Sequence, residues 1–97
     1  MRYEILFAPE AVEDFRALKA SVAATVRDAL EAHLRHEPEK VSRSRIKRLR
    51  GLSKPQYRLR VGEVRVFYDV VGRTVEVLAV VAKSEAESWL DRHGRLE

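Results

Sequence analysis

Ninety-seven residues, 45% of them apolar, suffice for one hydrophobic core, so the chain is read as a single domain over residues 1–97. With no cysteine there is no disulfide and no thiolate metal site; no apolar run reaches a membrane span and the N-terminus lacks a signal-peptide pattern, so a cytoplasmic protein is expected. The net charge of +4 is polarised: between Lys40 and Arg65 ten lysines and arginines meet one acid, Glu63, while the rest of the chain sums to −5, the footprint of a nucleic-acid binder.

Met1 to Ala8 alternates, with Tyr3, Ile5 and Phe7 set against Arg2, Glu4 and Leu6, and reads as a first strand. Pro9 suits the first turn of a helix, and Glu10, Glu13 and Asp14 suit its positive end. Val12, Phe15 and Leu18 give that helix an apolar stripe to about Lys19. Ser21 is the expected N-cap of a second helix, whose Val22, Val26, Ala29, Leu30 and Leu34 repeat at helical spacing until Pro38 stops it. His33 and His36 lie three apart, but no third ligand follows, so no metal is expected.

Residues 39–56 form a basic connection punctuated by Gly51, Ser53 and Pro55. Ile46 and Leu49 suit a short strand or a tuck under a loop, which would point Lys47, Arg48 and Arg50 outward. These three, with Lys54, are candidate contacts to a nucleic-acid backbone.

Residues 57–82 read as two successive hairpins. Gly62-Glu63 and Gly72-Arg73 each place glycine first, as a type II′ two-residue loop requires. Counting outward sets Arg60 opposite Arg65, Arg58 opposite Phe67, Tyr68 opposite Val77, Val66 opposite Ala79 and Val64 opposite Val81. Side chains alternate faces. One face then carries Tyr57, Leu59, Val61, Val64, Val66, Tyr68, Val70, Val75, Val77, Ala79 and Val81 as core. The other carries Arg58, Arg60, Arg65, Phe67, Asp69, Glu76, Leu78 and Val80, and is expected to face solvent. Like charges side by side destabilise a sheet, so three converging guanidiniums point to a phosphate site, with Phe67 as a stacking platform for a base.

Ser84 resembles an N-cap, and Ala86, Trp89 and Leu90 give a terminal helix of about two turns. Trp89 is expected to plug against the sheet. The fold class is α+β, in the order β-α-α-β-β-β-α: an antiparallel sheet with a helical hairpin on its apolar face and a short C-terminal helix. The pairing of the first strand is left open.

Leu49-Arg50-Gly51-Leu52, followed by Tyr57-Arg58-Leu59-Arg60-Val61 and Val64-Arg65-Val66-Phe67-Tyr68, closely resembles the RelE/ParE superfamily of bacterial toxins, and the element order matches over nearly the whole chain. The resemblance implies the toxin of a type II toxin–antitoxin pair. RelE-like members are metal-independent endoribonucleases that cleave mRNA in the ribosomal A site (mRNA interferases), inhibiting translation. The substrate's 2′-OH attacks the adjacent phosphate and leaves a 2′,3′-cyclic phosphate.

By position Arg58, Arg60 and Arg65 match the family's catalytic basic residues, and Lys83 falls beside the place of a further arginine, where this chain has Ser84. No tyrosine or histidine aligns near Trp89-Leu90, with His93 the only imidazole further along. Arginine stays protonated and is a poor general base, so phosphate clamping is better supplied than proton transfer. No cofactor is implied. The partners implied are mRNA, the ribosome and a cognate antitoxin. Carboxylates and apolar groups of that antitoxin would cover Phe67, Leu78 and Val80, and the facing pair Asp69 and Glu76 would receive one of its cations. The alternatives are a ParE-like toxin that binds DNA gyrase, which needs no acid or base, or an attenuated toxin.

Overall fold

A computed structural model describes all residues, Met1–Glu97. The elements follow the expected α+β order, with three short strands added. They are β1 (Glu4–Phe7), α1 (Pro9–Arg16), α2 (Ala20–Leu34), β2 (Ile46–Arg48), β3 (Leu52–Lys54), β4 (Tyr57–Val61), β5 (Val64–Val71), β6 (Thr74–Ala82), α3 (Lys83–His93) and β7 (Arg95–Leu96). Five strands make one sheet in the order β1-β6-β5-β4-β2, and β3 pairs with β7 in a separate ribbon.

β1 enters the sheet parallel to β6, with Ile5 beside Val75 and Phe7 beside Val77, so the sheet is mixed rather than wholly antiparallel. The two helices that follow β1 supply the crossover a parallel pair needs. α1 ends at Arg16, short of Lys19. α2 starts one residue before Ser21, with extended Lys19 as its N-cap and no side-chain cap. The connection is so short that Ser21 already lies in the first helical turn.

Both hairpin loops follow the glycine-first reading: Gly62 and Gly72 have φ of 57° and 60°, and no other residue type has positive φ. The first hairpin has the counted register throughout. The second has it from Val71↔Thr74 to Tyr68↔Val77, where a bulge shifts the pairing by one. Beyond it Phe67 faces Ala79, Val66 faces Val80, Arg65 faces Val81 and Val64 faces Ala82, in place of the expected Val66↔Ala79 and Val64↔Val81. The bulge turns Val80 into the core and moves Ala79 and Val81 to the arginine face. A backbone N–H beside the bulge, that of Val80, donates to Asp14 Oδ2 of α1 at 3.0 Å.

The core lies between the helical hairpin and the sheet, joining Ala11, Val26, Leu30 and Leu34 to the inward residues of β2, β4, β5 and β6. Tyr68 is its largest fully buried member. Its ring stacks on Tyr57 at 5.4 Å, and its hydroxyl donates to the carbonyl of buried Pro38 at 2.6 Å. That bond ties the end of the α2 connection to the middle of the sheet.

Candidate nucleic-acid interface

Alternation along β4 and β5 puts Arg58, Arg60 and Arg65 on the face away from the helical hairpin, and β2 adds Lys47 directly opposite Arg58. This face is not open. α3 folds across it, and Trp89 lies parallel on Phe67 with centroids 5.0 Å apart and planes within 9°. Phe67 is 1% exposed, and Ala79 opposite it is fully buried. The expected stacking platform is therefore occupied from within. Trp89 plugs the sheet as expected, though on the arginine face. The signal lay in the wet-face set itself, which holds Phe67 and Leu78 and needed an apolar cover.

The three guanidiniums sit in different environments. Arg60 is exposed. Arg58 is half-buried, and its Nε is shut away from solvent without a hydrogen-bond partner. Burial first, then the charges of Arg65 and Arg60, pull its pKa below the ordinary arginine value. Arg65 is only 6% exposed rather than wet, and its Nη1 donates to the carbonyls of Gly62 at 2.8 Å and Val64 at 3.0 Å. Its head is thus held on its own hairpin turn. Lys83, the first residue of α3, is exposed, and its backbone N–H donates to Glu63 O in the same turn at 2.7 Å.

The other basic candidates separate. Lys47 is exposed beside Arg58. Arg48, one residue on, points to the opposite face, because β2 alternates like any strand. Its guanidinium lies over the Tyr57 ring at 5.3 Å and donates to Gln56 O at 2.8 Å. Arg50 is exposed in the turn before Gly51. Lys54 is drawn into the sheet, with Nζ 3.7 Å from both Asp69 Oδ2 and Glu76 Oε1. The facing acids expected to take a partner's cation thus take one from this chain, and Asp69 Oδ1 also accepts the Gln56 N–H at 2.7 Å. Val80, expected on the surface a partner would cover, faces the core.

His93 packs on Trp89 at 5.1 Å and lines a cleft of about 500 Å³ with Glu10, Asp14, Lys54 and Leu78, a group that includes none of the clustered arginines. His33 is partly buried, which lowers its pKa, with Arg45 adding to the effect; His36 Nδ1 lies 3.2 Å from Met1 O. No group of three His, Cys, Asp or Glu side chains is placed to hold a metal ion. No helix is long and apolar enough to cross a membrane.

A cluster of three arginines and a lysine without a carboxylate among them suits an anion, and the Nε of Arg58 is the one buried side-chain donor that has no partner. Comparison with known proteins gives the cluster a context. A chain of the toxin–antitoxin complex RelBE2 from Mycobacterium tuberculosis superposes with a TM-score of 0.69 at 26% identity, covering 84% of this chain and 99% of that one. A doubly substituted mutant of the Escherichia coli toxin RelE in the free state gives 0.70 at 22% identity, covering 96% and 99%. The YoeB dimer from Staphylococcus aureus gives 0.61 at 20%, covering 81% and 94%. No curated protein sequence matches. The family model of the ParE toxin of type II toxin–antitoxin systems, parDE, matches residues 5–87, and the chain belongs to that family.

Proposed function

We propose that this toxin is an endoribonuclease that cleaves mRNA on the ribosome, with the face of β4 and β5 as its phosphate site. The observation that carries the reading is the cationic cluster around Arg58, whose buried Nε has no partner within the chain. Attack of a 2′-oxygen on the adjacent phosphorus, which loses its bond to the 5′-oxygen as the 2′-proton passes to water and water returns one to the leaving oxygen, places additional negative charge on the non-bridging oxygens. Donors fixed in advance against that charge act strongly where water is excluded. Arg58 and Arg60 are the donors of this site. Lys83 approaches from the start of α3, and Arg65 holds the hairpin turn between them while adding its charge. Lys47 and Arg50 extend the basic surface along the track of the RNA. A cognate antitoxin is the partner that neutralises this surface.

A second reading is a ParE-like toxin acting as a protein ligand of DNA gyrase. It is favoured by the make-up of the cluster, where no carboxylate or imidazole accompanies the cations and Arg65 spends Nη1 on its own turn. Induced expression followed by primer extension on total mRNA and by plasmid topology gels separates the two. Codon-phased breaks support the nuclease, whereas altered supercoiling with intact mRNA supports the gyrase ligand.

A further inference from the structure

We propose that the cleft between the end of α2 and the turn before β2 is a second anion site, separate from the arginine face and built for a phosphate group that carries two negative charges. The site does not depend on the RNA reading above.

The cleft holds about 220 Å³ and is lined by His33 of α2, by Glu37, Lys40 and Ser42 of the connection that follows, and by Arg45 just before β2. None of the cations of the β4–β5 face is among its walls. Sites for drug-sized ligands run from about 300 Å³ upward, so this volume suits a small group such as phosphate.

The turn from Ser42 to Ile46 closes on itself. The Ser42 N–H donates to Ile46 O at 2.9 Å, and Ser42 Oγ accepts the N–H groups of Arg45 at 3.0 Å and Ile46 at 3.1 Å. Both acceptor positions of that oxygen are therefore taken, and its O–H is left to donate outward. The Arg45 guanidinium belongs to no ion pair. A hydroxyl donor and an uncommitted guanidinium thus stand on a turn already ordered, which lowers the entropy lost on binding.

His33 faces them from α2. Burial first, then the charge of Arg45, holds its pKa below the ordinary histidine value, so the empty cleft keeps the imidazole neutral at neutral pH. A bound dianion reverses that balance, because an opposite charge favours the imidazolium. Binding therefore takes up a proton. Lys40 supplies a further cation. Its Nζ lies 3.6 Å from Glu37 Oε2 in an exposed pair that opens at little cost. Glu37 is the one acid of the cleft and opposes the ligand. His36, three residues beyond His33, is not among the walls, and its Nδ1 lies 3.2 Å from Met1 O.

The test follows the amide signals of Ser42, Arg45 and Ile46 by NMR in the intact toxin, at ionic strength held constant with chloride. Sulfate is the first probe, because its two charges persist across the pH range. The expected result is a saturable shift of these amides, with half-saturation at several-fold less sulfate at about pH 6 than at about pH 8. Arg45→Ala raises the half-saturating concentration by about tenfold or more, and Glu37→Gln lowers it. His33→Gln, whose amide still donates, keeps the shift and loses the pH dependence. Arg60→Ala, on the arginine face, leaves both unchanged. The absence of a saturable shift, equal binding at the two pH values, or full binding by Arg45→Ala overturns the proposal.

Inorganic phosphate and a short oligouridylate with a 5′-phosphate then distinguish the two sources of such a group. Saturation at the lower concentration by the oligomer assigns the site to an RNA end, and by the free ion to phosphate itself. An oligomer without the 5′-phosphate that moves the same amides equally well would overturn the choice of a dianion. Cleavage is not read in any arm, so no outcome here bears on the nuclease reading.

Discussion

Replacing Tyr68 by phenylalanine removes one oxygen from the centre of the sheet and nothing else. The ring stays stacked on Tyr57, while the 2.6 Å bond to Pro38 O is lost and that carbonyl is left inside the protein without its partner. A net hydrogen bond is worth about 1 kcal/mol, and an orphaned buried acceptor raises the cost to about 1–2 kcal/mol. For a domain of this size, a loss of about 1.5 kcal/mol lowers the melting temperature by roughly 6–12 °C. Tyr68→Ala also loses ring volume and costs about 3–5 kcal/mol.

The hydroxyl adds a pH signature. Burial first, then Tyr57 and Glu39, raise its pKa well above the usual tyrosine value. A folded pKa above the unfolded one gives a contribution that is complete below about pH 10 and lost as pH rises beyond it, because the unfolded chain then releases a proton the folded chain keeps. Tyr68→Phe is therefore less stable than the parent at neutral pH, and the gap narrows in alkali. Urea titrations of both proteins at pH 7 and in an alkaline series measure this. Equal stability at pH 7, or a gap that is constant or widens in alkali, would refute the placement of that hydroxyl.

Arg58→Met removes a half-buried charge that the fold leaves unpartnered, so the unfolding midpoint should hold or rise while RNA cleavage falls by about 10²-fold or more; a destabilised, active variant would contradict this. Arg65→Ala should lose cleavage and, unlike a surface change, also about 2 kcal/mol, because two bonds from a buried guanidinium go with it; equilibrium denaturation checks the second part. Lys54→Met leaves Asp69 facing Glu76 without their shared cation; since Lys54 and Glu76 are both partly exposed, a loss of about 1 kcal/mol is expected, read by the same titration.

Much of the interface is legible in the sequence because two glycine-first loops fix a register and the register fixes the faces. Arg58, Arg60 and Arg65 meet on one side for that reason, and Lys47 joins them once β2 pairs with β4. The register fails just where its own logic weakens. Val77 to Ala82 is apolar at every position, so a one-residue bulge exchanges one buried apolar residue for another, and no alternation in that stretch opposes it. Arg48 and Lys54 were misplaced because residues 39–56 have few apolar anchors, and whether a lysine finds Asp69 is a tertiary matter. The cover on Phe67 is intermediate: Trp89 was visible as a plug, but which face it plugs depends on how the chain leaves β6. The β3–β7 ribbon, built from strands of three and two residues, carries no periodic signal.

The direct test of the central claim is cleavage of a defined mRNA on purified, programmed ribosomes by the parent toxin and by Arg58→Met, with the fragment ends analysed. The parent should cut in phase with codons and leave a 2′,3′-cyclic phosphate on the upstream fragment, and the folded variant should leave the message whole. An uncut message with the parent toxin, under conditions where the same preparation inhibits DNA gyrase, would contradict it.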